Sequence, residues 1–217
     1  MVDTKLCIQS DFEDYYDKFA YMNNNSEKGI IYKRMLADSM QRGSALKYLR
    51  SLGVKTLDIK QASTFSYLDK TLVVYTDPKK HNGAGKKLVS YEEATAFYGN
   101  FPASKYLEDN NGFTVKVVQV GRRRFTLTFK KEPGDKSLHE GVLVSIVEMS
   151  PSYNMLIGLP IFSIDYVAYG CEMIATDFNE VENLSRIGLD RYLSGQEVCN
   201  EIINSLYKYN KVERNWA

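Results

Sequence analysis

Two stretches restrict the folds open to this chain more than any other feature. They are "TVKVVQVGRRRFTLTFKKE", residues 114–132, and "PIFSIDYVAYGCEMIATDFNEVENL", residues 160–184. Each holds two runs rich in Val, Ile, Thr, Tyr and Phe on either side of a turn, with Gly121 at the first turn and residues 169–172 at the second. Side chains on a strand repeat every second residue, so runs of this kind predict antiparallel hairpins with one face turned inward. Any fold for the chain has to be built around that antiparallel sheet.

Other segments alternate with these hairpins. Residues 27–53, "EKGIIYKRMLADSMQRGSALKYLRSLG", carry Ile31, Met35, Leu36, Leu46, Leu49 and Leu52 at helical spacing; Gly43 is expected to separate two helices and Gly53 to cap the second. "KLCIQS", "VKTLDI" and "TLVVYTD" read as strands, and "EGVLVSIVEMS" fits a strand or a short helix equally well. Ser90 with Glu93, and Ser194 with Glu197, give the reciprocal pattern of helix starts. Strands and helices mixed in this order, with late hairpins, predict an α+β (mixed α/β) fold rather than a doubly wound parallel sheet.

The chain has 217 residues, 44% of them apolar and 25% charged, with a formal net charge of +1. That supports a sizeable core and gives no global signal for nucleic acid or membrane. No apolar run approaches the roughly 18 residues of a membrane span. The start, "MVDTKLCIQSDFEDYYDKF", turns acidic too early for a signal peptide. Cys7, Cys171 and Cys199 have no metal-ligand spacing, and His81 and His139 are the only histidines, so a zinc site is not expected. Reduced thiols and a cytoplasmic location are the simplest expectation.

Four constellations bear on chemistry. In "YTDPKKHNGAGKKLVSYEEA", Gly83 and Gly85 stand among Lys79, Lys80, His81, Lys86 and Lys87. Glycines let backbone amides approach a phosphate and lysines neutralise it, although a solvated loop between strand and helix explains the same residues. In the second hairpin, Asp165 lies in an apolar strand, and Asp177 and Asn179 bracket Phe178 on the next. Across an antiparallel pair Asp165 and Asp177 fall nearly opposite, Asn179 shares the face of Asp177, and such hard oxygen donors suit Mg²⁺. The alternative is that Asp177 and Asn179 begin a turn. In "VGRRRF", Arg122, Arg123 and Arg124 can meet phosphate, or simply guard an edge. Asp11, Asp14 and Asp17 in "SDFEDYYDKF" are explained by helix capping and solvation, or by a site at a strand end.

The order of these segments over residues 70–190 resembles the ATP-grasp family: "TLVVYTDP", the loop "HNGAGKK", the helix "SYEEATAFY", the hairpin "VKVVQVGRRRFTLTF", then "FSIDYV" and "TDFNEVENL". The resemblance implies an ATP-grasp-like antiparallel sheet over residues 70–217, preceded by a short α/β portion over residues 1–69. It implies ATP and Mg²⁺ as cofactors and ligation of a carboxylate to an amine or thiol through an acylphosphate. Lys79, Lys80, His81, Gly83, Gly85, Lys86 and Lys87 would cover the nucleotide phosphates, Asp165, Asp177 and Asn179 would hold the metal, and Arg122 and Arg124 would face the transferred phosphoryl group. Tyr75 stands where the family usually has a phosphate-binding lysine, and Asp177 where Glu is commoner. A non-catalytic module that binds nucleotide, nucleic acid or protein is the alternative, as is a viral structural or interaction protein. The tyrosine-rich, Asn/Lys-rich segments "YMNNNSEKG" and "YKYNK" suit an AT-rich genome of the kind many phages carry. The partners expected are a nucleotide and a carboxylate substrate, no membrane, with nucleic acid and a homodimer left open.

Overall fold

A computed structural model describes residues 42–77, 85–107, 112–132, 141–149, 161–179, 184, 187–202 and 204. The expected strand "KLCIQS", the segment with Asp11, Asp14 and Asp17, the first half of the 27–53 helical pattern, Lys79, Lys80, His81, Gly83 and His139 lie outside the described residues. Among the described residues no helix is long and apolar enough to cross a membrane.

Helix α1 runs Arg42–Ser51. Gly43 lies inside it rather than between two helices. Gly53 ends it with φ 84. Its N–H donates to the carbonyl of Arg50 (3.0 Å) and the Val54 N–H to that of Leu49 (3.1 Å), which satisfies the last carbonyls as a glycine C-cap should. The expected strand "VKTLDI" is not a strand. It forms one isolated parallel bridge, Thr56 to Ala175, flanked by Leu57 N–H to Ala175 O and Ala175 N–H to Lys55 O.

The first sheet has the order β1-β4-β2-β3, with β1 Lys60–Gln61, β2 Thr71–Tyr75, β3 Lys86–Ser90 and β4 Pro102–Lys105, all antiparallel. Residues 60–61 therefore join this sheet, although they precede the boundary expected at residue 70. Strand β3 runs straight into helix α2, Tyr91–Phe97, where the Ser90 hydroxyl accepts from the Glu93 N–H at 3.1 Å. Helix α2 covers one face through Ala94, packed with Leu72, Val74, Val89 and Ala103.

The second sheet, ordered β7-β6-β5-β8-β9, is wholly antiparallel. Its strands are β5 Phe113–Val120, β6 Arg123–Lys130, β7 Val142–Met149, β8 Ile161–Tyr169 and β9 Glu172–Asn179. Both predicted hairpins form, and the ambiguous "GVLVSIVEM" is a strand. One face of β8 and β9 packs Phe162, Ile164, Ala175 and Phe178 against Leu46 and Leu49 of α1. On the opposite face Val118, Val120, Phe125, Leu127 and Phe129 pack against Leu189, Leu193, Val198 and Ile202. The last two belong to a final helix, α3, helical over 195–202. Its start is the predicted capping box: the Ser194 N–H donates to Glu197 Oε2 at 2.8 Å and the Glu197 N–H to Ser194 Oγ at 3.3 Å. Cys171 is a free thiol at the exposed β8–β9 turn, whereas the buried Cys199 of α3 is disulfide-bonded; the expectation of reduced cysteines holds for the first and fails for the second.

Candidate functional site

Strands β8 and β9 fix the geometry of the site by their register. From the turn, Tyr169 pairs with Glu172 and Tyr166 with Ala175. Carried on unchanged, that register would set Asp165 opposite Thr176 and send Asp177 to the other face of the sheet. The register instead shifts between Asp165 and Tyr166, leaving Thr176 as the extra residue of a β-bulge. Beyond it Asp165 pairs with Asp177 and Ser163 with Asn179, so all four side chains share one face. The Asn179 amide donates to Ser163 Oγ at 3.3 Å, which leaves its carbonyl oxygen clear of that bond. Apolar flanks, Phe162, Ile164 and Phe178, alternate onto the α1 side and hold both strands in place.

Two carboxylates directly opposite each other repel, and each here has a lysine on its outer side. Lys116 of β5 lies opposite Asp165 in the register, and its Nζ is 2.7 Å from Asp165 Oδ1, an ion pair. The Lys116 side chain is 2% exposed and that of Asp165 25%. Lys86 of β3 reaches across from the first sheet to Asp177, Nζ to Oδ2 3.6 Å, with both side chains about six-sevenths buried (15% and 16% exposed). Lys116, Asp165, Asp177 and Lys86 thus form a charge row that crosses from one sheet to the other. Lys116 escaped the sequence reading. Its signal was a lysine at the same parity as Val118 and Val120 in a strand whose core face those valines mark.

The other expected site residues are more scattered. Gly85 sits at the base of the β2–β3 connection with φ 79, and its carbonyl accepts from the Thr76 N–H at 2.8 Å; a Cβ there would lie 2.6 Å from the Asp77 carbonyl oxygen. That close approach requires glycine. Lys87 does not join Lys86. It alternates to the α2 face, where Nζ donates to the Tyr98 hydroxyl at 3.0 Å, a bond that raises its pKa. The structure does not bring Arg122 and Arg124 to the carboxylates. Arg122 is in the β5–β6 turn, its backbone N–H bound to Glu201 Oε2 (3.2 Å), and Arg124 is buried on the opposite face of the sheet, donating to Gln119 Oε1 at 2.9 Å. Arg123 pairs with Glu148 at the surface, Nε to Oε1 2.7 Å. On the first sheet Tyr75 and Ser104 are buried, their hydroxyls 2.9 Å apart.

The donors that converge are hard oxygens: two carboxylates, an amide carbonyl and a hydroxyl. This set fits Mg²⁺, which takes one or two carboxylates and completes its shell from phosphates and water. The two ammoniums standing against the carboxylates show where cationic charge is favoured. No group of three or more acidic, histidine or cysteine side chains suited to a metal occurs among the described residues, so a transition-metal site of that kind has no support there.

No protein-family model matches the sequence, and no curated protein is significantly similar to it. Solved structures do match. The macrocyclase MdnC bound with precursor peptide MdnA, from Microcystis aeruginosa, superposes with a TM-score of 0.51 and 14% identity over 76% of this chain and 62% of that one. The ATP-grasp ligase PsnB, complexed with a phosphomimetic variant of its minimal precursor, Mg and ADP, gives 0.51 and 11% over 78% and 60%. A D-alanine-D-alanine ligase from Coxiella burnetii gives 0.51 and 10% over 82% and 59%. The chain spans about three fifths of the length of these structures. Two antiparallel sheets in this order, with the likeness to ligases of one architecture, give the conclusion that this chain has an ATP-grasp fold.

Proposed function

We propose that this chain is an ATP- and Mg²⁺-dependent ligase that joins a carboxylate to an amine or thiol through an acylphosphate. The observation that carries the reading is the bulged register that sets Asp165, Asp177, Asn179 and Ser163 on one face, opposite Lys86 of the other sheet. In this reading the nucleotide lies between the sheets. Asp165, Asp177 and the Asn179 carbonyl would hold Mg²⁺, which would supply charge neutralisation at the nucleotide phosphates. The carboxylate attacks the γ-phosphorus, ADP leaves, and the amine or thiol then displaces phosphate from the acyl carbon. The chain's own part is positioning and charge neutralisation. Lys86 is placed to exchange Asp177 for a phosphate oxygen, and Gly85 lets the backbone turn tightly beside it. Lys79, Lys80, His81 and Gly83 remain expected phosphate contacts on the same connection. Lys87, Arg122 and Arg124, which the structure holds elsewhere, are given no role.

One observation favours a second reading, a nucleotide-binding module without ligase activity. Tyr75, at the position where the family usually has a phosphate-binding lysine, spends its hydroxyl on Ser104. Calorimetric titration of ATP with and without Mg²⁺, on wild type and on the Asp177→Ala/Asn179→Ala double variant, tests the site. Metal-dependent binding that the variant loses is expected. Equal binding by both proteins, or none by either, would sink the site assignment. Release of ADP on addition of pooled carboxylates and amines would then separate ligase from binding module.

A further inference from the structure

The charge row has a property that the ligase reading does not by itself require. Among the described residues Asp165 and Asp177 are the acidic groups at this face, and each faces an ammonium: Lys116 at 2.7 Å and Lys86 at 3.6 Å. The remaining donors, Asn179 and Ser163, are neutral. Among the described residues the two lysines balance the two carboxylates, which weakens the attraction of this face for a bare divalent cation. Nothing about the core needs a lysine at position 116, because the same face of β5 continues as Val118 and Val120. Burying an ammonium there costs stability, which its carboxylate partner offsets.

We infer that Lys116 and Lys86 are built-in counter-cations that bar a bare divalent ion from Asp165 and Asp177, so that the metal is accepted only together with a nucleotide polyphosphate. The inference rests on the proposed nucleotide site. Mg²⁺ sheds its waters reluctantly, and here it would also meet two ammoniums within ion-pair range of its ligands. A polyphosphate changes the balance. Its oxygens take Lys86 as a partner, Asp177 is released, and the metal arrives with negative charge already attached. Lys116, fixed on a central strand, stays on Asp165 and orients it. It is a positioning residue, acting on the metal through that carboxylate.

The test uses Mn²⁺ as the probe, with its free fraction read by electron paramagnetic resonance on the full chain. Wild type is expected to bind Mn²⁺ weakly alone and tightly with a non-hydrolysable ATP analogue. Lys116→Met and Lys86→Met should each bind Mn²⁺ alone at least about tenfold more tightly than wild type, since a unit charge a few ångströms away is worth that much at a part-buried site. Lys116→Arg should behave as wild type, and adding Asp165→Asn to Lys116→Met should abolish the gain. A merely structural lysine would leave bare-metal affinity unchanged or lower it. Unchanged affinity in both Met variants, or wild type binding bare Mn²⁺ as tightly as with the analogue, overturns the inference. If Lys116→Met fails to fold, Lys86→Met, on the short strand β3, carries the comparison. Wild type that ignores Mn²⁺ with the analogue would refute the nucleotide reading instead, while the bare-metal comparison still decides the role of the lysines.

Discussion

A lysine inside a sheet is stable only while its charge is answered, and Asp165 answers Lys116. Replacing Lys116 by Met should cost about 3 kcal/mol in urea unfolding, because it strands a carboxylate, whereas the Lys116→Met/Asp165→Leu double variant should recover much of that loss. Full additivity of the two single changes would show that the pair is not coupled. This pair was half legible in the sequence. Asp165 stood out as a charge among apolar neighbours, but its partner is about fifty residues earlier in a run of valines, and only the β5–β8 register joins them. The surface pair Arg123–Glu148 gives a pH signature. The Arg123 hydrogen bond, the largest cause, holds the Glu148 carboxyl below its ordinary pKa. A group depressed in the folded state contributes stability above its unfolded pKa and loses it as pH falls through the folded value. Arg123→Ala should therefore lower stability at neutral pH by under about 1 kcal/mol, as solvent screening dictates, and the difference should fade in acid. A difference that persists well below the carboxylate range would assign the effect to lost packing on Phe125 instead.

Elements decide which side chains meet. Thr176 is the clearest case: it is the extra residue, so deleting it should leave a regular ladder in which Asp165 still faces Asp177 and Ser163 still faces Asn179, and metal-dependent nucleotide binding should survive. Loss of binding as complete as that caused by removing the carboxylates would mean that the convergence of the site does not follow from the pairing alone. The hairpin was readable from alternation; the bulge was not, because an unpaired residue leaves no mark in a strand pattern. Short elements were missed for a related reason. Strand β3 read as part of the loop beside Gly85, and residues 102–105 were assigned no element; both are strands because β2 pairs with each. "VKTLDI" had strand composition but found a partner at only one residue. Helix α3 meets the β5–β6 turn closely enough that a Cβ on Gly121 (φ 58) would lie 2.4 Å from the Glu201 carbonyl oxygen, whereas one on Gly170 (φ 62) would meet nothing within 4 Å. Gly170→Ala should thus cost only backbone strain, about 1 kcal/mol, and Gly121→Ala distinctly more, as read by thermal unfolding. Equal costs would deny that α3 is seated on the turn.

At the scale of the whole chain, the two sheets meet in an ion pair, Lys86 to Asp177, beside the proposed nucleotide position. Saturating Mg²⁺ and ATP should stabilise the protein by about 2.7 kcal/mol at a hundred times the dissociation constant, an upward shift of melting temperature that ATP alone does not give. No shift with either would count against a nucleotide site. The architecture was legible from the order of segments between residues 70 and 190, since each hairpin and capped helix announces itself locally. The distances between segments were not, and the row shows why that matters. Its four members lie on β3, β5, β8 and β9, with some thirty residues between Lys86 and Lys116 and nearly fifty between Lys116 and Asp165. Every hairpin can close early on short loops, yet the row exists only after long closures are made as well. On refolding, the site should therefore be among the last features to appear, and a chain that can bind its ligand has, by that fact, finished folding.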